Sequence, residues 1–263
     1  MVSSLILLVI GVMAGMIGSV LGLGGAVIML PAMQIFLGYD AVMAVGTTLL
    51  AVVFTSLSGA LGHFKAGNVQ VRSGIWVGCG GLMGVLVGSY VFKKYLSCSM
   101  EGLSYIMGVL FLGMAVKMGL EVYSDLKGHD QGQGNSEETV SSEPVVGLLL
   151  LGMVTGTLTG MLGIGGGFIM VPGMMWLFGA SAHVAVGSTL LAMLPIATVG
   201  AIIKLSQGFV FPMAGLILGI GTAVGAQLGV KVSRYLSPTM LRILFSILFI
   251  ILAFDYLYPL VNV

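Results

Sequence analysis

Two glycine-rich stretches are the parts of this sequence best suited to bind a ligand. Residues 22 to 31 read GLGGAVIMLP and residues 163 to 172 read GIGGGFIMVP, each in an apolar surround. A break of this kind leaves unpaired backbone N–H groups at the start of the next helix, where the positive end of the helix dipole attracts an anion. Close packing of membrane helices is the alternative role for such glycines. The residues expected to present N–H groups to an anion are Gly24, Gly25, Gly165, Gly166 and Gly167.

Two pairs of hydroxyl side chains follow the breaks. They lie in AVGTTLLA, residues 44 to 51, and in AVGSTLLA, residues 185 to 192. Hydroxyls can orient an oxyanion, but inside a membrane they also bond to carbonyls of their own helix. Because the pattern occurs twice, we expect these hydroxyls to face a shared interface and to contact the ligand. The four residues are Thr47, Thr48, Ser188 and Thr189.

A pair of basic residues is the third candidate, with His63 in ALGHFKAG matching Lys204 in AIIKLSQG. A lysine at the centre of a bilayer costs about 2.5 to 3.5 kcal/mol on insertion scales, so a buried lysine indicates an anionic partner. Near a helix end, a lysine can instead extend its amine to the interface. Both roles are open for Lys204, and we include both residues among the candidate substrate-binding residues.

The residue inventory argues against several other classes of protein. The chain has three histidines, no HExxH, GxSxG or P-loop motif, and a net charge of +1. We therefore expect no enzyme activity, no metal site, no cofactor and no nucleic-acid partner. Outside residues 121–144 the only acidic residues are Asp40, Glu101 and Asp255. Because cation pumps place carboxylates inside the membrane, an anionic or neutral substrate suits this sequence better.

The elements that must position these residues are membrane helices. Apolar residues make up 58% of the chain and charged residues 7%, whereas a soluble domain carries about 25% charged residues. The sequence predicts an all-α integral membrane protein with about eight spans of the length a bilayer requires. Two further apolar segments, Ala26–Leu37 and Gly167–Phe178, are too short to cross and predict broken or re-entrant helices. The predicted spans are Ser4–Leu21, Ala41–Leu61, Gly74–Phe92, Leu103–Leu120, Val145–Leu162, Val184–Leu205, Pro212–Val230 and Thr239–Tyr256.

The chain is an internal repeat. Adding 141 to a residue number carries Gly24 onto Gly165, Pro31 onto Pro172 and AVGTTLLA onto AVGSTLLA. The sequence therefore predicts a first repeat over residues 1–120, a polar acidic linker over 121–144 and a second repeat over 145–263. Each half makes an odd number of net crossings if its short helix is re-entrant, so we expect inverted repeats. The positive-inside rule agrees, because inversion places more of the Lys and Arg residues on one side.

These duplicated features resemble the TauE/SafE family of sulfite and organosulfonate exporters. The resemblance rests on the GLGG and GIGGG breaks, the prolines that follow them and the AVG[ST]TLLA segments, and it covers nearly the whole chain outside residues 121–144. It implies export of a small sulfur-containing anion, such as sulfite or a sulfoacetate-like organosulfonate, across the bacterial cytoplasmic membrane.

We expect alternating access around a site at the membrane midplane between the repeats, with membrane lipid as a further partner; the chain could also form a homo-oligomer. An anion channel and a membrane accessory or scaffold subunit remain the alternative functions. The sequence does not distinguish the anion carried, the transport direction or the coupling ion.

Overall fold

The computed structural model describes residues 2–96, 112, 113, 115–117, 119, 120, 144–163 and 165–261. All elements in this part of the chain are helical, which confirms the all-α prediction. Most of the predicted span Leu103–Leu120 and the acidic segment 121–143 lie outside it. The helices are α1 (Val2–Val20), α2 (Ala26–Leu37), α3 (Ala41–Lys65), α4 (Val71–Val91), a π-helical turn (Phe92–Leu96), α5 (Val145–Leu162), α6 (Gly167–Phe178), α7 (Ala182–Ser206), α8 (Pro212–Ser233) and α9 (Pro238–Val261).

Four of the described helices are long and apolar enough to cross a membrane: Val42–Lys65, Val71–Lys94, Ala182–Ser206 and Pro212–Ser233. They are α3, α4, α7 and α8; α3 packs on α7 and α8, and α4 packs on α7. The number of eight spans stays a prediction, because the other apolar helical stretches are shorter: Ser4–Val20, Val145–Met161, Gly167–Phe178 and Thr239–Ile251.

Each half begins with a long helix that reverses at its glycine break into a short helix. The short helices α2 and α6 have 12 residues each, about 18 Å of helix, against a hydrocarbon core of about 30 Å. In the second half, Gly166 packs against Thr159 of α5 and Gly173 against Leu151, so α6 runs back along α5. In the first half, Gly25 packs in the same way against Ala14 of α1. Each short helix therefore turns back along the helix before it, and its re-entrant position in a membrane stays a prediction.

The two halves interlock through exchanged helices. The first helix of each half packs chiefly on a long helix of the other half, so that α1 lies along α8 and α5 lies along α4. Glycines permit this close approach. A Cβ on Gly84 of α4 would overlap the carbonyl of Met153, and one on Gly225 of α8 would overlap the carbonyl of Val12. In membranes, where lipid is as apolar as leucine, such small-residue contacts drive helix association.

The equivalent helices α3 and α7 run in opposite directions. Gly46 near the start of α3 lies against the carbonyl of Phe209, just beyond the end of α7. Gly187 near the start of α7 lies in turn against the carbonyl of Asn68, just beyond the end of α3. These two contacts are related by the 141-residue offset, and they make α3 and α7 antiparallel.

Contacts divide the chain into two compact units. Unit 1 comprises Met1–Tyr95 and Glu143–Tyr235 and holds α1 to α8. Unit 2 comprises Leu96–Ser142 and Leu236–Val263, in which α9 stacks Phe245 on Phe249 with ring centroids 5.8 Å apart. All candidate site residues lie in unit 1.

Candidate functional site

The two glycine breaks meet in the structure. A Cβ added to Gly24 would lie 2.6 Å from the Cε methyl of Met193, and one added to Gly165 would lie 2.7 Å from the same methyl. Val52 Cγ1 faces both glycines, at 3.0 and 3.7 Å from those Cβ positions. Gly167 lies directly against the carbonyl of Gly22. We call the place where Gly24, Gly165, Val52 and Met193 converge the glycine junction.

The glycine junction sits halfway along the spanning helices. Val52 and Met193 are related by the 141-residue offset, and each lies near the middle of a 25-residue helix, α3 or α7. Both side chains are fully buried. The junction therefore lies halfway along two helices that are long and apolar enough to cross a membrane.

The backbone at the breaks has the conformation that glycine alone adopts easily. Gly24 and Gly25 have φ of 70° and 78°, and Gly165 and Gly166 have φ of 83° and 65°. A residue with a Cβ is strained in this left-handed region. This turn starts the short helices inside the protein instead of at its surface.

The prediction of free N–H groups is wrong for two of the glycines. Gly24 N donates to Gly18 O, and Gly167 N donates to Gly165 O.

The start of α2 has free N–H donors directly after the glycine break. Gly25, its N-cap, offers no side-chain acceptor. Ile28 N and Met29 N bond to the Gly25 carbonyl, but Ala26 N and Val27 N have no backbone or side-chain acceptor among the described residues. Both residues are buried. Buried N–H groups are rarely left unpaired in folded proteins, so this helix start is suited to an anion or to water.

The hydroxyls of Thr47 and Ser188 make a crossed pair of contacts between the halves. Thr47 Oγ1 accepts a hydrogen bond from Phe211 N at 3.0 Å, and Ser188 Oγ accepts one from Gln70 N at 2.8 Å. Phe211 and Gln70 are the N-cap residues of α8 and α4. Each hydroxyl thus satisfies a backbone donor at the start of the other half's helix, which gives the duplicated pattern a structural role.

The neighbouring hydroxyls of Thr48 and Thr189 are also buried. Thr48 Oγ1 donates to Val45 O of its own helix at 3.0 Å, and Thr189 Oγ1 lies 3.7 Å from Met174 Sδ in α6. Sulfur is a weak acceptor, so the Thr189 hydroxyl is the more available of the two to a ligand.

The structure does not bring His63 and Lys204 together, nor does it place either at the glycine junction. Each lies 11 residues beyond Val52 or Met193, about 16 Å farther along its helix. Because α3 and α7 are antiparallel, the two side chains lie toward opposite ends of unit 1. His63 Nε2 is 3.0 Å from the Ser19 carbonyl, and His63 Nδ1 is buried without a partner.

Lys204 is fully buried, with an exposed fraction of 0%. Its Nζ has no hydrogen-bond partner and lies 3.0 Å from the centroid of the Phe92 ring. A desolvated cation–π contact is worth about 2 kcal/mol, whereas burying an ammonium ion without a counterion costs several kcal/mol. The ring therefore offsets only part of the desolvation. The amine does not extend to the interface, which was the alternative for this residue.

Val52 and Met193 are the functional-site residues that the sequence did not indicate by chemistry, because both are ordinary apolar residues. Their position in the sequence could have indicated them, because Val52 and Met193 are equivalent in the repeat and directly follow the AVG[ST]TLLA segments. In the part of the chain that the structure describes, no three His, Cys, Asp or Glu residues lie together as metal ligands would.

A helical chain with several apolar spanning helices, duplicated broken helices and a mid-helix junction between its halves has the architecture of a secondary membrane transporter. The model of the sulfite exporter TauE/SafE family matches residues 7–256. The chain belongs to this family of multi-pass membrane transporters.

Curated relatives extend over nearly the same length. The probable membrane transporter protein YunE of Bacillus subtilis is 29% identical, over 97% of this chain and 98% of its own. The probable membrane transporter protein YdhB of the same organism is 28% identical, over 90% and 92%. A probable membrane transporter protein of Methanocaldococcus jannaschii is 25% identical, over 92% and 90%. No solved structure matches the chain.

Proposed function

We propose that this transporter exports small sulfur-containing anions, such as sulfite or sulfoacetate-like organosulfonates, from the bacterial cytoplasm. The observation that carries the proposal is the glycine junction, where the two broken helices meet halfway along α3 and α7. The description of the family as sulfite exporters supports the choice of cargo.

The chemistry around the glycine junction favours a small anion. Backbone N–H groups of Ala26 and Val27 lack acceptors within the described residues, and they lie at the positive end of α2. Val52 and Met193 exclude water from the same place. Asp40, the described acidic residue of the first half, is at the start of α3, where its carboxylate accepts a hydrogen bond from Val42 N. A site of N–H donors without a nearby carboxylate attracts negative charge.

Not every candidate residue has the same relation to this site. Gly24 and Gly165 lie at the glycine junction with Gly167 beside it, whereas Gly25 and Gly166 pack against α1 and α5. We propose that the anion binds at the glycine junction. The hydroxyls of Thr48 and Thr189 are its proposed neighbours. Thr47 and Ser188 contribute by holding α8 and α4 in place around the site.

Inverted repeats and alternating access complete the proposal. The antiparallel course of α3 and α7 supports repeats of opposite topology. The resulting arrangement puts four exposed basic residues, Lys65, Arg72, Lys231 and Arg234, at one end of unit 1 and two, Lys93 and Lys94, at the other. The excess supports a cytoplasmic location for the first end. Movement of one half against the other around the junction would then expose the anion alternately to the two sides.

The test is transport of radiolabelled sulfite in proteoliposomes containing the purified protein. A carrier shows saturable uptake and accelerated exchange when unlabelled sulfite is present on the other side. An anion channel gives flux without saturation or exchange, and an accessory subunit gives no flux above protein-free liposomes. Either of these results would overturn the proposal.

A matched pair of variants locates the site. Gly24→Ala puts a methyl group against Met193 Cε, a flexible side-chain end that can shift so that the protein still folds. Gly38→Ala has the same left-handed strain, with φ of 63°, but nothing within 4 Å of the added methyl. We expect Gly24→Ala to lose most sulfite transport and Gly38→Ala to retain it. Equal transport by the two variants would contradict a site at the junction.

A further inference from the structure

Lys204 lies in a second cluster of unsatisfied polar groups, away from the glycine junction. Lys204 Nζ, Ser89 Oγ and Gln207 Oε1 are all buried atoms without a hydrogen-bond partner. Lys204 itself is completely buried and Ser89 is 1% exposed. Because buried polar groups are normally paired, each of these atoms calls for an explanation.

The packing of α4 on α7 places Ser89 and Lys204 at one interface. Val85 Cγ2 of α4 lies 3.2 Å from the position of a Cβ on Gly200 of α7. These two helices run in the same direction, since Gly74 packs on Leu191 and Gly78 on Pro195. One turn farther along each helix come Ser89 and Lys204, which therefore face the same interface.

Phe92 forms the floor of this cluster. Its ring lies under Lys204 Nζ at 3.0 Å and meets the Phe209 ring edge to face, with centroids 6.0 Å apart. Phe92 is three residues after Ser89, on the same face of the chain. The rings exclude water from the ammonium group but supply no hydrogen-bond acceptor for it.

We propose that Lys204 and Ser89 form a peripheral binding site for a small oxyanion, about 16 Å along α7 from the glycine junction. The ammonium ion supplies charge-assisted donors, and the Ser89 hydroxyl supplies a neutral one. As a station for the transported anion, this site rests on the proposed function. It lies at the end of unit 1 that also carries Lys93 and Lys94, opposite Lys65, Arg72, Lys231 and Arg234, and the proposed topology makes this end the release side of an exporter.

The repeat equivalent of Lys204 does not form the same site. His63 occupies the matching position, where its Nε2 is held by the Ser19 carbonyl. The peripheral site is therefore confined to one end of the otherwise duplicated structure, which would make the two halves of the transport path unequal.

The experiment combines thermal unfolding in detergent, with sodium sulfite as the probe, and sulfite flux in proteoliposomes. Lys204→Met replaces the ammonium with an apolar chain of similar length. Without sulfite, we expect this variant to melt above the wild type, because replacing an unpaired buried charge with an apolar group is stabilising. We also expect its half-saturating sulfite concentration to rise about tenfold or more, as for loss of a charged hydrogen bond.

Three further variants sharpen the comparison. Ser89→Ala should raise the half-saturating concentration about threefold, as for loss of a neutral hydrogen bond. Lys204→Arg, which keeps the charge, should be affected less than Lys204→Met. Lys231→Met removes an exposed lysine from α8 and should behave as the wild type in both measurements.

Two outcomes would overturn the proposal. One is a Lys204→Met protein with wild-type half-saturation and wild-type stabilisation by sulfite. The other is a Lys204→Met protein that melts below the wild type without sulfite, since the ammonium would then be part of the packing. If sulfite stabilises the wild type more than Lys204→Met but is not transported, the peripheral site stands and the proposed transport function fails.

Discussion

At the scale of single residues, the duplicated hydroxyls show that a repeated motif can mark a contact between the repeats. Thr47 and Ser188 were expected to contact a ligand because they recur at equivalent positions. In the structure each accepts a hydrogen bond from the N-cap residue of a helix in the other half. The recurrence reflects a contact between the repeats, which no local pattern could reveal because the partners are 164 and 118 residues away.

Removal of the Thr47 hydroxyl should destabilise the protein. Thr47→Val keeps the shape of the side chain but leaves Phe211 N unpaired, which should lower the free energy of unfolding by about 1 to 3 kcal/mol. Thr55→Val is the control, because the Thr55 hydroxyl only donates to Ala51 O in its own helix. Thermal unfolding in detergent makes the comparison. A Thr47→Val variant no less stable than Thr55→Val would show that the bond between the halves is unimportant.

At the scale of helices, the sequence predicted the breaks well. The predicted short segments, Ala26–Leu37 and Gly167–Phe178, have the same bounds as α2 and α6, because glycine ends mark both sides of each. The meeting of the two breaks at Val52 and Met193 was not predictable in detail. It depends on how α3 crosses α7, and the apolar residues along both helices carry no signal for the crossing point.

Glycines on α4 should differ sharply in their tolerance of alanine. A methyl on Gly84 would overlap the Met153 carbonyl of α5. Because backbone cannot move aside as a side chain can, Gly84→Ala should lower the free energy of unfolding by about 1 to 3 kcal/mol. A methyl on Gly78 would lie 3.4 Å from Pro195 Cγ, an ordinary contact. Gly78→Ala should therefore raise the free energy of unfolding by about 0.5 to 1 kcal/mol, because alanine has the higher helix propensity.

Thermal unfolding of the two α4 variants provides the check. Opposite signs of the change in melting temperature are expected. The same sign and size for both would mean that the α4–α5 contact is looser than the structure has it.

At the scale of the whole molecule, the repeat could be found from the sequence, but its exchanged packing could not. The 141-residue offset identifies equivalent residues without saying which half each helix packs against. Only the structure pairs α1 with α8 and α5 with α4. The same limit applies to His63 and Lys204, which match in sequence but lie toward opposite ends of unit 1.

Inverted topology has a direct test by cysteine labelling. Lys65 and Ser206 are exposed repeat equivalents at the ends of α3 and α7. In a chain with Cys79 and Cys98 replaced by serine, Lys65→Cys and Ser206→Cys should react with a membrane-impermeant maleimide from opposite sides. Labelling in inside-out vesicles and in spheroplasts measures this. Reaction of both from one side would rule out inverted repeats.

The central claim is that a small anion binds at the glycine junction, and ligand-induced stabilisation tests it most directly. A ligand that binds only the folded protein stabilises it by about 2.7 kcal/mol at a hundred times its Kd. The panel is sulfite, sulfate, sulfoacetate, taurine and acetate at matched ionic strength. The variants are Gly165→Ala, which meets Met193 Cε, and Gly179→Ala, which has equal backbone strain and open space.

We expect sulfite or sulfoacetate to raise the melting temperature of the wild type and of Gly179→Ala, with a much smaller rise for Gly165→Ala. Equal stabilisation of Gly165→Ala and Gly179→Ala would contradict anion binding at the glycine junction.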